Sequence, residues 1–595
     1  MSHRHAMRVV ALLVVVWLSL PWSASAQAER RWLADPALLV GQRTVGPGGS
    51  RQFLDTIADL YVQNSTSGWA LSSTGILRYD GRHWRLYNRT PSTTFLNALD
   101  FAQPQEGWLV GSTTSNIGRS TPPIDTIIVN HWDGTQWGSP APITPKPGST
   151  YDPLRGSLGD VVTIDNRTAL AVGYQRDDHS KPIRPLALAF DGTAWRDISD
   201  ARWTTGRLTG ITMVSRTEGW ITGSFEQANG SPRPVILHYK DGIWTEASLP
   251  AMPADLHWAM ASNITMRDAS EGWALLEDYR AVCTRTTFLH YTSGRWTIVP
   301  PETYGHDPII AFGMIPGTNK GWATQSGCRE GTPSQPNRRL RFDQGTFTLD
   351  VGGAQLAPTR YALKSEQIQW GAANGSIMRY SSEVLPTARV ANSGRERYFE
   401  TTGHTLSGAF RRYYESHGLE LGDRGISARE SLALFGYPLS EPFEEVNPDT
   451  GQVLQVQYFE RARMEYHPDN PEPYTVLLGR LTVPNLLRRT NNSEPQPGFP
   501  AGPVGSDCER FEATGYDLCP PLRSFWNRNG GLPVFGYPIT AAREEVSQTD
   551  GATYVTQYFE RERLEYHPEQ RDTPYETLLG LLGAEELRTR GYLPY

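Results

Sequence analysis

Between about residue 55 and residue 380 the apolar positions fall in short runs bounded by Gly, Asp, Asn and Ser, a grammar of strands and turns rather than of long helices. The clearest unit is EGWITGSFEQANGSPRPVILHYKDGIWTEASL, Glu218 to Leu249, in which a Gly-Trp strand precedes an apolar strand ending in an aromatic and a DG-x-W turn. The Gly-Trp position recurs at Trp69, Trp108, Trp220, Trp273 and Trp322, with degenerate copies at Leu170 and Trp370. The aromatic of the next strand recurs at Tyr79, Trp132, Phe190, Tyr239, Tyr291, Phe342 and Tyr380. A closing aromatic follows at Trp84, Trp137, Trp195, Trp244, Trp296 and Phe347, and the last copy has none. A period of roughly 40–60 residues with three or four short strands predicts a β-propeller blade, so the expectation is a mainly β chain with a seven-bladed propeller. Large rings would fill the widening gap between sheets, and Asp80, Asp133, Asp191, Asp241 and Ser293, each before a Gly, would turn the chain between the last two strands. The segment around Trp32 to Val40 is expected to supply the strand that the last copy lacks.

Beyond residue 380 the spacing changes. Leu406, Ala409, Phe410, Tyr413 and Tyr414 precede Gly418 at helical spacing, as Leu518, Pro521, Leu522, Phe525 and Trp526 precede Gly530. Two small α+β repeat modules, each opening with an amphipathic helix, are predicted. Each then carries LFGYP or VFGYP, a dodecamer, and PYTVLLG or PYETLLG. The dodecamers are QYFERARMEYHP from Gln457 and QYFERERLEYHP from Gln557. The first module has an extra stretch near Leu419 to Leu432. Stretches rich in Pro, Gly and polar residues mark linkers. The expected division is 1–26 signal peptide, 30–385 propeller, 386–395 linker, 396–486 first module, 487–507 linker and 508–595 second module.

With their Gly-Trp strands, HWDGTQW, AFDGTAW and YKDGIW resemble exported bacterial propellers of the Asp-box (BNR) type and, more loosely, the photosystem II stability and assembly-factor group. A full Asp box has Ser or Thr two residues before the Asp, where this chain has His131, Ala189 and Tyr239. The tail resembles the LGFP repeat of bacterial cell-wall-associated proteins, through GGLPVFGYP and QYFERxRxEYHP. These resemblances imply an envelope protein attached to cell-wall or extracellular polysaccharide, or to an envelope protein. Asp-box propellers include sialidases, which makes a secreted glycosidase the alternative, and an assembly factor for a membrane complex the third reading.

Charge and cysteines narrow the compartment. Arg4 and Arg8, the apolar run Val9 to Leu20 and Ala24-Ser25-Ala26 read as a secretory signal, with an uncleaved anchor as the competing reading. No later stretch is long enough to span a membrane, so no span is expected in the mature form. The formal net charge of -7 and the lack of a basic tract argue against nucleic acid. In an oxidising compartment the four cysteines are expected to pair as Cys283 with Cys328 and Cys508 with Cys519. No HExxH, GxSxG or GxxxxGK[ST] stretch occurs, and the expectation is a binding protein without catalytic residues, metal or cofactor.

Read as one strand, the dodecamer alternates, placing Phe459, Arg461, Arg463, Glu465 and His467 on a single face. The candidate binding residues are therefore Arg461, Arg463, Glu465 and His467, with Arg561, Arg563, Glu565 and His567 in the second copy. Arginines beside aromatics suit carbohydrate or anionic polymers, and two copies would gain avidity on a repetitive surface. The competing reading is structural: Arg463 pairs with Glu465 along the strand and His467 fixes the turn before the proline. One His per module and no Cys at ligand spacing disfavour zinc.

Overall fold

The computed structural model describes residues 30–593 apart from 38, 45–49, 116–123, 139–141, 147–151, 153, 177–181, 204, 254–255, 257, 279–282, 284, 329–334, 387–393, 490–506 and 548–550. The expected signal peptide and most of both linkers lie outside the described residues. Among those described, no helix is long and apolar enough to cross a membrane.

The repeats fold as successive antiparallel sheets spanning 57–89, 94–138, 156–197, 206–246, 259–298 and 309–350, each with four strands in chain order and the third with an added parallel strand, Ile143–Thr144. The first strands of neighbouring sheets lie against one another, and Arg360–Leu363 returns to Ile57–Asn64, so the sheets close into a propeller ring. The last repeat provides Arg360–Leu363, Gln369–Ala373 and Ser376–Ser381; its fourth strand is Arg31–Ala34, antiparallel to Ser376–Ser381 with Trp32 opposite Tyr380. The closing segment is shorter than expected. Pro36 follows it, and Leu39–Thr44 pairs instead with Ser50–Leu54 as a separate hairpin.

The aromatic spacing explains the ring. Trp69 packs on Trp132 (4.8 Å) and Trp137 (5.6 Å) of the next sheet, and Trp108 on Phe190 (4.7 Å) and Trp195 (5.0 Å). Trp370 likewise meets Tyr79 (4.9 Å) and Trp84 (5.7 Å). Each such gap holds one Gly-Trp ring against two rings of its neighbour, edge-on contacts that add to the burial of the rings. Trp322 meets Tyr380 (5.1 Å) and Trp32 (5.4 Å), so Trp32 is the closing aromatic that the last copy lacks in sequence. Where Leu170 replaces tryptophan, buried Trp203 joins the same apolar cluster, 6.0 Å from Trp244.

The turns divide into two kinds. Asp241, Ser293 and Gln344 have φ of 50°, 52° and 48° before a left-handed Gly, the two-residue hairpin that the sequence suggests. In the first three sheets the turn is longer, and the Asp side chain caps it. Asp133 Oδ1 accepts the amides of Thr135 (2.8 Å) and Gln136 (2.9 Å), and Asp80 and Asp191 do the same two and three residues on.

Each tail module opens with a two-stranded hairpin, a correction to the expected opening helix: Glu396–Phe399 with His404–Ser407, and Glu509–Phe511 with Tyr516–Leu518. Leu406 and Leu518 therefore sit on strands, and the helices follow as Gly408–Ser416 and Leu522–Arg528. Short helices, Ala428–Phe435 and Gly531–Phe535, then lead into four-stranded sheets, Phe443 to Leu478 and Arg543 to Leu579, and the helices Thr482–Arg489 and Leu582–Thr589 follow. The first of these runs past the expected boundary at residue 486. Residues of both modules form one apolar core, from Phe399 and Tyr414 to Trp526 and Leu579. Both expected disulfides are present. Cα atoms are 5.4 Å apart in Cys283–Cys328 and 4.2 Å in Cys508–Cys519, which ties the ends of the second module's opening hairpin.

Candidate functional site

The dodecamer is a hairpin rather than one strand, which corrects the alternation expected of it. Val453–Tyr458 turns back into Arg463–Tyr466, with Tyr458 opposite Arg463; Thr553–Tyr558 and Arg563–Tyr566 repeat this. The reversal puts Arg463 and Glu465 inside the module. Arg463, Glu465, Arg563, Glu565 and His567 are all buried, whereas Arg461, Arg561 and His467 are partly exposed.

Buried charges require partners. Arg463 bridges Glu445 (3.2 Å) and Glu465; Glu465 Oε2 accepts from Asn447 Nδ2 (3.0 Å) and lies 3.1 Å from His467 Nε2. Although burial pushes the Glu465 carboxyl up, Arg463 and His467 outweigh it and hold it down at about 2. In the second module Arg563 pairs with Glu565 (2.8 Å) and makes two 3.0 Å bonds to Glu585, while His567 Nδ1 lies 2.9 Å from Glu569.

The hairpin tips account for the repeated residues. Glu460 N donates to Tyr437 O (3.0 Å), Arg461 N to Phe435 O (3.0 Å) and Tyr437 N to Glu460 Oε2 (3.0 Å), zipping the tip onto FGYP. The second tip does the same on Phe535 and Tyr537. The glycine of FGYP must stay bare: Gly436 has φ of 75°, and a Cβ there would lie 2.6 Å from the Glu460 side chain.

The same tips join the modules. Ala584 N donates to Glu460 O (3.0 Å), Arg561 Nε to Leu478 O (2.9 Å), and Arg480 pairs with Glu560 (3.1 Å). Gly583 lies so close that a Cβ would sit 1.9 Å from Phe459 O. At the position of Ala462 the second copy buries Glu562, whose carboxyl burial pushes well up against the opposing charge of Arg461.

The last turn then meets the propeller. Arg590 Nη1 reaches Tyr458 Oη (2.8 Å) and Glu445 (2.8 Å), its Nε donates to Ala34 O (2.9 Å), and its carbonyl accepts from Ala34 N (3.0 Å). The tail thus grips the strand that closes the ring. A cavity of about 380 Å3 remains beside it, lined by Asp35, His83, Arg379, Glu445 and Tyr592 among others.

Two features of the propeller escaped sequence reasoning. On the ring's inner wall, each first strand presents a free edge to be satisfied. Asp59 Oδ2 accepts Leu99 N (2.9 Å), Asp100 Oδ2 accepts Thr163 N (2.6 Å) and Asp160 Oδ2 accepts Ile211 N (2.8 Å), each from the next sheet. Burial raises all three carboxyls, Asp100 to about 6 and Asp160 to about 8, with the neighbouring carboxylates adding to the effect on these two. Second, Glu and His lock three of the Gly-Trp rings: His131, His238 and His290 lie 4.5, 4.5 and 5.0 Å from Trp108, Trp220 and Trp273, and bond to Glu106, Glu218 and Glu271 at 2.7, 2.9 and 3.0 Å. The signal was EGW followed by His before the next aromatic.

No protein-family model matches the chain, and no curated protein matches it. Similar solved structures include YCF48 bound to D1 peptide, at 14% identity and TM-score 0.37, over 60% of this chain and 97% of that one. A GH74 xyloglucanase from Xanthomonas campestris aligns at 11% identity and TM-score 0.39, over 76% and 68% of the two chains. A Mycobacterium tuberculosis puromycin-hydrolyzing peptidase aligns at 11% and 0.33, over 70% and 59%. The propeller assignment rests on the order and pairing of the sheets themselves.

Proposed function

We propose that the chain is an exported, non-enzymatic binding scaffold of the cell envelope, with a seven-bladed propeller over 30–385 and two LGFP-like modules over 396–486 and 508–595. Its partner class is cell-wall or extracellular polysaccharide, or an envelope protein that presents it. The observation that carries this reading is the use made of the inner-wall carboxylates. Asp59, Asp100 and Asp160 each accept a backbone amide of the next sheet, a stitching role. The two disulfides support an oxidising compartment. Of the candidate dodecamer residues, the partly exposed Arg461, Arg561 and His467 are the ones that can meet a ligand.

Secreted glycosidase is the second reading, favoured by the environment of Asp160, whose carboxyl burial and the neighbouring Asp59 and Asp100 raise to about 8, into the range of a general acid. Cosedimentation of the full chain with purified bacterial envelope polysaccharide, with reducing ends measured in parallel, separates the two. Binding without new reducing ends is expected; reducing ends that disappear in Asp160→Asn would replace the scaffold with a hydrolase.

A further inference from the structure

The gap between the fifth and sixth sheets departs from the aromatic rule. Trp273 meets Phe342 at 5.5 Å, but the closing position holds Phe347, whose ring packs on Phe342 (4.9 Å), Phe288 (5.8 Å) and Tyr304 (5.8 Å) instead. In the gap around Trp108 both rings of the next sheet lie within 5.0 Å of the tryptophan. Here a cavity of about 580 Å3 opens, a volume typical of small-molecule sites.

Its wall is built and fixed. Arg267 Nη1 donates to Asn319 Oδ1 (2.8 Å), its Nε to Asp268 (2.7 Å), and it also pairs with Glu271. Glu271 in turn bonds His290 Nε2 (3.0 Å), and His290 stacks on Trp273 with an interplanar angle of 11°. Gln344, held exposed at the tip of its hairpin, and the partly exposed Phe347 also line the cavity.

We propose that this cavity is a saccharide site of the propeller, taking a neutral sugar of one or two rings; this deepens the polysaccharide-binding reading above by giving it a location. The charges argue for a neutral ligand. The Arg267 guanidinium is engaged by both Asp268 and Glu271, and Glu271 also holds His290, so each charge among the described lining residues already has a partner. What the wall offers is a row of planar donors and acceptors, from Arg267, Asn319, Glu271 and Gln344. The apolar Phe347 and Val299 line the same cavity and offer a surface on which the C–H face of a sugar ring can rest. Fixed polar groups around a partly apolar cavity give orientation and specificity without a large ordering cost.

The test fills the cavity with the residue that the six other sheets carry at the closing position. Cellobiose, diacetylchitobiose and maltose are titrated against the full chain by calorimetry and saturation-transfer NMR, with sodium acetate and choline chloride as charged comparators. At least one disaccharide is expected to bind, and Phe347→Trp to weaken it at least tenfold with the melting temperature held. Should that variant fail to fold, Gln344→Asn keeps a residue tolerant of positive φ in the turn and is expected to weaken binding at least threefold. Failure of all three sugars to bind, binding of the ions in their place, or unchanged affinity in the folded variants would overturn the assignment. Loss of envelope cosedimentation with disaccharide binding intact would overturn the scaffold reading and leave this site standing.

Discussion

Replacing Asp160 with Asn separates a structural stitch from a proton-holding acid. In the fold, Asp160 Oδ2 accepts Ile211 N (2.8 Å) and Oδ1 accepts Val161 N (2.9 Å), yet burial and the neighbouring Asp59 and Asp100 raise the carboxyl to about 8. A raised folded-state value means that the protonated form is favoured in the fold. Its stabilising effect is therefore complete below 3.8 and is lost as pH climbs through about 8. At ~1.4 kcal/mol per unit the ceiling is about 6 kcal/mol, and contact of this partly exposed residue with water lowers that to roughly 2–3 kcal/mol. Asn keeps one acceptor and cannot ionise, but gives up the second acceptor at a cost of about 1 kcal/mol. Asp160→Asn should thus melt slightly below the parent at pH 4 and above it at pH 9, by roughly 1–2 kcal/mol or about 1–3 °C for a domain of this size. Thermal melts of both full-length proteins from pH 4 to 9 measure the crossing. Parallel curves without a crossing would refute the burial argument and leave the carboxylate an ordinary solvated group.

Two further outcomes follow from the packing. Trp32→Ala removes the closing ring from between Trp322 and Tyr380 and should cost about 3–5 kcal/mol, read as a fall in the propeller's thermal transition. Glu562→Gln neutralises a carboxyl that burial raises; since its stabilising contribution is lost with rising pH, the variant should gain stability over the parent in urea titrations at pH 8 and lose that advantage at pH 4.

The propeller was legible because its packing unit is local: a Gly-Trp, an aromatic and a closing ring recur within one repeat, and Trp32 was found by the gap it had to fill. Exceptions to the rule were less visible. Trp203 stands in for the missing tryptophan at Leu170 from a loop outside the repeat. The inner-wall carboxylates escaped notice because they act on the next sheet, a relation with no spacing in sequence. In the tail, alternation failed because FERA and FERE are turns. A strand pattern and a tight hairpin share the same mixture of aromatic and charged residues, and only the pairing of Tyr458 with Arg463 reverses the chain.

Duplication in the tail then has a structural cause that avidity does not require. Each hairpin tip offers backbone groups to its own FGYP segment and further groups to the partner module, the Glu460 carbonyl from the first tip and the Glu560 and Arg561 side chains from the second, so two copies complete one another as two separate copies on a free linker would not. Pairing the modules brings the last turn of the second to the buried Glu445 of the first, and Arg590 bonds there while its backbone pairs with Ala34. Without that guanidinium, Glu445 would share Arg463 with Glu465 in a buried site, a loss that typically costs several kcal/mol. The strand held by Arg590 is the one that closes the ring, so the propeller's closing strand and the tail's buried Glu445 are held by the same residue.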